Sequence, residues 1–308
     1  MSKTRFEQAL ASGRPIVIDG GLATECEAAR YDLSNHLWSA SLLQSRPQAI
    51  VDVHRSYLDA GAEIIIAAGY QASRMGFAEI GMSGADADRL ILKSIELAEQ
   101  ARREYLADNP GSRYPLVAAG VGPYAAALHD GSEYTGDYGA TAEELRDFHA
   151  DRLALFDATD ADLLACETIP SIIEAGVLAD LLRHVRSPAW VSFCCKDAGH
   201  LSDGTPITEA ARLFRDHPRV LAIGVNCTAP EHMLPLIDRV HAAAPDRSIV
   251  VYPNSGEVFG MMDKTWRGAA TTMDWGRAAN AWHEAGATLI GGCCRMGPNE
   301  IRAMVTSF

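Results

Sequence analysis

Val220-Leu221-Ala222-Ile223-Gly224-Val225-Asn226-Cys227 is an apolar run that ends abruptly in an asparagine and a cysteine. Its residues do not alternate between apolar and polar. A strand with one wet face would alternate, so this run predicts a strand buried on both faces, as parallel strands are. Seven further runs are of the same kind: Ile16 to Ile18, Ile64 to Ala68, Leu116 to Val121, Ala161 to Ala165, Trp190 to Cys194, Ile249 to Tyr252 and Ala287 to Ile290. The segments between them read as helices. Pro47 to Ala60 carries Ile50, Val53, His54 and Tyr57 at helical spacing and stops at Gly61. Thr141-x-x-Glu144 is a capping box that opens a helix through Phe156, and Asp274 to Ala285 is closed by Gly286. Pro206, Pro230 and Pro298 stand where a first helical turn tolerates proline. Eight strand–helix units in 308 residues predict an α/β fold, a (β/α)8 TIM-type barrel with parallel strands, in one domain spanning residues 1–308. The rival is an open doubly wound sheet. Against it, the first run leads into Asp19-Gly20-Gly21-Leu22 and not into a Gly-x-Gly-x-x-Gly loop.

The formal net charge is -13 and there is no basic run, which argues against nucleic acid and anionic membranes as partners. No apolar window approaches the length of a membrane-spanning helix, and Met1 to Pro15 has no long apolar stretch to serve as a signal peptide. The seven cysteines are odd in number and scattered without repeated short spacings. Reduced thiols in a cytoplasmic protein are therefore expected, with Cys26, Cys166, Cys194 and Cys195 buried as small apolar side chains.

The active site of such a barrel lies at the C-terminal ends of its strands. Those ends carry Asp19-Gly20, Tyr70-Gln71, Gly122-Pro123-Tyr124, Glu167-Thr168, Asn226-Cys227, Asn254-Ser255-Gly256 and Cys293-Cys294. Cys227, Cys293 and Cys294 are three thiols at the ends of two strands, a set that can hold one zinc ion. Three protein ligands leave a tetrahedral position open, the pattern of a catalytic site, and that position suits a substrate thiol. A redox pair is the alternative, although neighbouring cysteines are poorly spaced for a disulfide; Cys194-Cys195 is a weaker rival pair. Asp19 and Glu167 are isolated acids after apolar strands. As a pair on the rim they would bind an ammonium group; singly, each could cap a helix. The long loop from Gly122 to Ala140, with Tyr124, Tyr134 and Tyr138, has the length of a lid.

These blocks together resemble the zinc-dependent homocysteine S-methyltransferases, over nearly the whole chain. The resemblance is carried by Asp19-Gly20-Gly21-Leu22-Ala23-Thr24-Glu25, Leu37-Trp38-Ser39-Ala40, Tyr70-Gln71-Ala72-Ser73, Val121-Gly122-Pro123-Tyr124, Cys166-Glu167-Thr168, Asn226-Cys227 and Gly291-Gly292-Cys293-Cys294-Arg295. Asp130 to Tyr138 looks like the branch that uses S-methylmethionine or S-adenosylmethionine, and unlike the betaine-dependent branch. The resemblance implies a catalytic barrel in which Cys227, Cys293 and Cys294 bind zinc. It implies that Asp19 and Glu167 hold the homocysteine ammonium, with the Gly20 backbone near its carboxylate and Asn226 supporting the metal site. Trp38, Tyr124 and the other loop tyrosines would border a sulfonium methyl donor, since aromatic faces attract such cations. Selenocysteine or another thiol as acceptor, a thiol-redox protein and a non-catalytic zinc and thiol sensor are the alternatives. Two positions depart from the family's pattern. Cys26 replaces a leucine, and Gly69 replaces a serine or threonine whose hydroxyl could lie near the substrate.

Overall fold

The strands run in chain order around a ring. They are β1 (Ile16–Val17), β2 (Ile64–Ile66), β3 (Leu116–Val121), β4 (Leu163–Ile169), β5 (Ala189–Phe193), β6 (Val220–Asn226) and β7 (Ser248–Tyr252). An antiparallel hairpin of β8 (Val258–Gly260) and β9 (Thr265–Arg267) follows, and β10 (Ala287–Ile290) completes the eight-stranded sheet. Every pairing in that sheet is parallel. The seam between β1 and β2 is joined by a parallel bridge from Ile18 to Ile64, with the Asp19 N–H donating to the Ile64 carbonyl at 3.0 Å. The computed structural model describes residues 3–31, 33, 37–128, 130–260, 265–268 and 270–308, with the backbone alone at 38–39, 258–260 and 265–266.

The expected barrel is present, with its strand limits moved by a few residues. β2 is shorter than the apolar run that announced it. β4 starts two residues later than Ala161 and ends four later than Ala165, so Glu167 and Thr168 fall inside the strand. Helices cover the outer face, among them Pro47–Ala60, Gly84–Asp108, Ala142–Asp157, Ile207–Phe214 and Met233–Ala243. Their apolar faces and the outward strand residues form the larger core. Cys26 belongs to it, fully buried on the helix Leu22–Ala28, and burial pushes its thiol up to about 12.

A second core fills the barrel itself. Ile16, Ile18, Ile64, Leu116, Ala118, Leu163, Ala165, Trp190, Ala222, Val250, Tyr252 and Leu289 are alternate strand residues, as the two-residue period requires. Phe6 joins them from outside the sheet and meets Trp190 with ring centroids 6.2 Å apart. It sits on the helix Arg5–Leu10, which closes the N-terminal mouth of the barrel. That helix was absent from the reading of the apolar runs, yet its start was legible: Thr4 and Glu7 make a reciprocal capping box.

Close packing inside the ring depends on small residues where strands approach. A Cβ on Gly224 would lie 1.7 Å from the Val250 carbonyl oxygen of the neighbouring strand, a backbone atom that cannot step aside. Gly224→Ala is therefore expected to destabilise the fold by about 3 kcal/mol or more. A denaturant midpoint within the error of the parent's would contradict this.

Candidate active site

Inward residues change from apolar to polar on approaching the C-terminal ends of the strands. On β4 the inward series is Leu163, Ala165, Glu167; on β6 it is Ala222, Gly224, Asn226; on β5 and β7 the polar members are Ser192 and Tyr252. These four groups satisfy one another. The Ser192 hydroxyl donates to the Asn226 side-chain carbonyl at 2.8 Å and lies 2.7 Å from the Tyr252 oxygen. The Tyr252 hydroxyl donates to the Glu167 carboxylate at 3.3 Å. A polar layer thus rests on an apolar one and forms the floor of a cavity.

The cavity measures about 110 Å³. Its wall includes Gly20, Gly21, Ile66, Tyr70, Glu133, Tyr134, Glu167, Thr168, Tyr252 and the cysteines Cys227, Cys293 and Cys294. The sulfurs of those three cysteines all lie within 4.8 Å of one another, with Cys227 to Cys294 at 3.8 Å and Cys293 to Cys294 at 4.0 Å. A tetrahedral metal at the usual zinc–sulfur distance of about 2.3 Å keeps its sulfurs roughly 3.8 Å apart. The donor set therefore fits a metal ion such as zinc. The Cys227 thiol is held well below its ordinary value by hydrogen bonds from Cys194, Cys293 and Cys294, whose own thiols are pushed up in return.

Backbone geometry brings the sulfurs together. Thr168 and Cys227 adopt left-handed φ values of 61° and 49°, which cost side-chain-bearing residues energy and persist where surroundings hold them. Asn226 is the holder. Its side-chain carbonyl accepts from the Thr168 N–H at 2.7 Å, and its amide donates to the Thr168 hydroxyl at 2.7 Å and towards the Cys293 sulfur at 3.9 Å. Asn226 is fully buried behind the cavity wall, where it braces the turns that carry Thr168 and Cys227. The cysteine turn is pressed against the first strand end: Gly21 N–H donates to the Met296 carbonyl at 3.1 Å, and a Cβ on Gly20 would come within 2.1 Å of that same oxygen. This close approach explains the Gly20-Gly21 pair.

The two acids expected at the rim come together. Glu167 lines the cavity, and burial raises its carboxyl to about 8 against the opposing hydrogen bond from Tyr252. Asp19 stands against two wall residues, Gly20 and Ile66, without itself lining the space; one oxygen accepts from the Ile66 N–H at 2.8 Å and the other has no hydrogen-bond partner among the described residues. Burial, and then the neighbouring Glu167, push Asp19 well above the ordinary carboxylate range. Among the described residues, no lysine, arginine or histidine lines the cavity beside these raised acids.

Other expected residues fall elsewhere. Tyr124 packs against Tyr138 and Phe148, at 5.8 and 5.1 Å between ring centroids, away from the cavity wall. Tyr138 is bound to Ser171 and Glu174. Of the three loop tyrosines, Tyr134 alone lines the cavity. Trp38 opens the short turn Trp38–Ser41, and its side chain lies outside the described residues. Gly69 removes no pocket hydroxyl: a Cβ there would point at the Gly120 carbonyl, 2.4 Å away, and the residue does not line the cavity. Cys194-Cys195 lies beneath the rim, with Cys194 donating to the Cys227 carbonyl at 3.4 Å. Glu133 was missed as a site residue. Its only signal was a carboxylate in a long loop over the rim, which a surface turn would carry equally well.

The profile of a family described as homocysteine S-methyltransferase matches residues 16–308. "Homocysteine S-methyltransferase YbgG" of Bacillus subtilis is 44% identical over 291 residues, covering 93% of this chain and 92% of the relative. The Escherichia coli homocysteine S-methyltransferase is 45% identical, covering 94% of each. The crystal structure of the homocysteine methyltransferase MmuM from Escherichia coli in its metallated form superposes with a TM-score of 0.88 at 40% identity, covering 98% of this chain and 99% of that one. With its barrel, its cysteine cluster and a match across nearly its full length, this chain belongs to the homocysteine S-methyltransferase family.

Proposed function

We propose that residues 1–308 act as one catalytic barrel that methylates homocysteine to methionine, using zinc held by Cys227, Cys293 and Cys294 and a sulfonium methyl donor. The observation that carries this reading is the opening of three clustered sulfurs into a cavity whose wall holds the buried acid Glu167 and, among the described residues, no basic side chain. A thiol ionises near ~8.5 in water, and a bound zinc ion would keep the acceptor thiol ionised at neutral pH. Glu167 then holds the acceptor's ammonium from the β4 end, with Asp19 adding its charge from behind Gly20. Both carboxyls, raised by burial, return to the ionised form when that cation arrives.

The chemistry balances without an acid. The acceptor sulfur attacks the donor's methyl carbon in line. The new sulfur–carbon bond forms as the donor's breaks, the electron pair stays on the donor sulfur, and that sulfur leaves neutral. No proton has to reach the leaving group, which leaves Glu167 and Asp19 with binding as their task. S-methylmethionine is the donor this reading puts first, with S-adenosylmethionine second, because the loop from Asp130 to Tyr138 resembles that of the sulfonium-using branch.

Purified protein is expected to carry about one zinc per chain, and Cys293→Ala to lose both metal and turnover while keeping its far-ultraviolet circular dichroism. Elemental analysis that finds full metal in that variant would remove the assignment. Glu167→Gln is expected to raise the homocysteine KM by an amount equivalent to about 2–5 kcal/mol, with metal content unchanged; an unaltered KM would make Glu167 a structural residue. S-methylmethionine is expected to support far faster initial rates than betaine at matched concentration. Comparable rates would overturn the choice of donor while leaving the acceptor chemistry standing.

A further inference from the structure

Glu133 is a cavity residue for which neither the acceptor nor the metal has a use. It lies in the short turn Ser132–Tyr134, between a left-handed Gly131 and a left-handed Gly136, and it lines the same space as the three sulfurs. Its Oε2 is buried and has no hydrogen-bond partner among the described residues. An unpaired buried carboxylate oxygen costs free energy, so its retention points to a ligand that meets it. Burial, and to a lesser degree the Cys227 charge, raise this carboxyl to about 7 against a hydrogen bond from its own backbone. Among the described residues, the cavity wall carries no lysine, arginine or histidine to neutralise it.

The turn is fixed in place. A Cβ on Gly136 would meet the Asp203 amide nitrogen at 2.6 Å and the Pro170 carbonyl oxygen at 2.7 Å, so the loop is seated directly on the end of β4. Further along, the Tyr138 hydroxyl donates to Glu174 at 2.5 Å and lies 2.7 Å from the Ser171 oxygen, while the Tyr124 N–H donates to Glu174 at 2.6 Å. Glu174 is itself fully buried against His149, whose Nε2 is 2.7 Å away. A carboxylate presented from so firmly anchored a loop is ready before the ligand arrives.

We propose that Glu133 is the donor-recognition residue of the cavity, its carboxylate facing the positive sulfur of the methyl donor. The inference rests on the reading of the donor as a sulfonium. Geometry selects the sulfur over the donor's ammonium. The transferred methyl must lie between acceptor and donor sulfurs, and Glu133 and Tyr134 share the cavity wall with the three cysteines. Glu167 and Asp19 are engaged with the acceptor at the ends of β4 and β1. The donor sulfur loses its charge as the methyl leaves, so Glu133 holds the bound donor more strongly than the transition state. Its contribution appears in KM, and kcat has nothing to gain from it.

The test uses the zinc-loaded full chain with homocysteine and S-methylmethionine. Glu133→Gln is expected to raise the donor KM, and the donor Kd measured by calorimetry, at least tenfold. The homocysteine KM should move less than twofold, and Glu133→Asp, which keeps the charge, should recover most of the loss. Methionine competes as a neutral thioether with the same amino-acid end, and its inhibition constant should be unchanged in Glu133→Gln. Equal loss of methionine and S-methylmethionine would mean that Glu133 reads the amino-acid end, and an unchanged donor KM and Kd would mean that it reads neither; either result overturns the proposal. A fall in kcat with KM unchanged would do so as well. Absence of turnover and of donor binding in the parent protein would instead remove the sulfonium reading on which the proposal stands.

Discussion

One buried side chain ties the parts of the cavity together. The Asn226 amide spends both of its ends on the strained Thr168 and on the cysteine sulfur opposite. Thr168 follows the floor acid Glu167, and Cys227 follows Asn226 itself. The pairing of β4 with β5 shifts register between Cys166 and Ile169, around that same acid. Such irregularities re-aim side chains near sites, and they last only where hydrogen bonds outweigh the strain. The left-handed Thr168, the left-handed Cys227 and the direction of Glu167 thus form one coupled arrangement. An aspartate or leucine of similar size at position 226 would lack the donor for Thr168 and Cys293, and would leave buried groups unmatched.

The barrel was legible because its cause is local. A strand buried on both faces must be apolar throughout, and eight such runs separated by helical patterns admit few other closures. Cys227, Cys293 and Cys294 were legible for a related reason: they interrupt apolar strands at the ends where a barrel exposes its chemistry. The rest depends on contacts that no linear spacing records. Tyr124 had the right position at a strand end, but Glu174 takes its backbone N–H and Phe148 takes its ring. Gly69 looked like a missing hydroxyl, whereas its α-carbon is pressed onto Gly120 of the next strand. Glu133 became visible only when the fold turned its loop over the sulfurs. Phe6, fourteen chain positions before Gly20, closes the far mouth of the barrel against Trp190.

Electrostatics sets the terms on which such a cavity can exist. Asp19, Glu133 and Glu167 all have carboxyls raised chiefly by the loss of water on burial and less by neighbouring charge. Left alone, these groups would relieve the cost by taking up protons. The rigid ring prevents the other form of relief, which would be collapse of the wall or entry of a basic side chain. Apolar layers of Ala165, Ala222, Val250 and Leu289 lie below the polar floor and keep the local dielectric low. The consequence is a space biased towards cations before any ligand enters.

That bias acts differently on the two molecules of the proposed reaction. The acceptor brings an ammonium that remains charged from start to finish, so the hold of Glu167 on it is the same before and after transfer. The donor arrives with a positive sulfur and leaves with a neutral one. A carboxylate facing that sulfur attracts the reactant and has no comparable hold on the product. Methyl transfer therefore removes the interaction that retained the donor, and the spent thioether is released by the same event that forms the product. A neutral donor would gain nothing from Glu133, and an anionic one would be repelled, so the carboxylate sorts donors by charge while the anchored loop sorts them by shape.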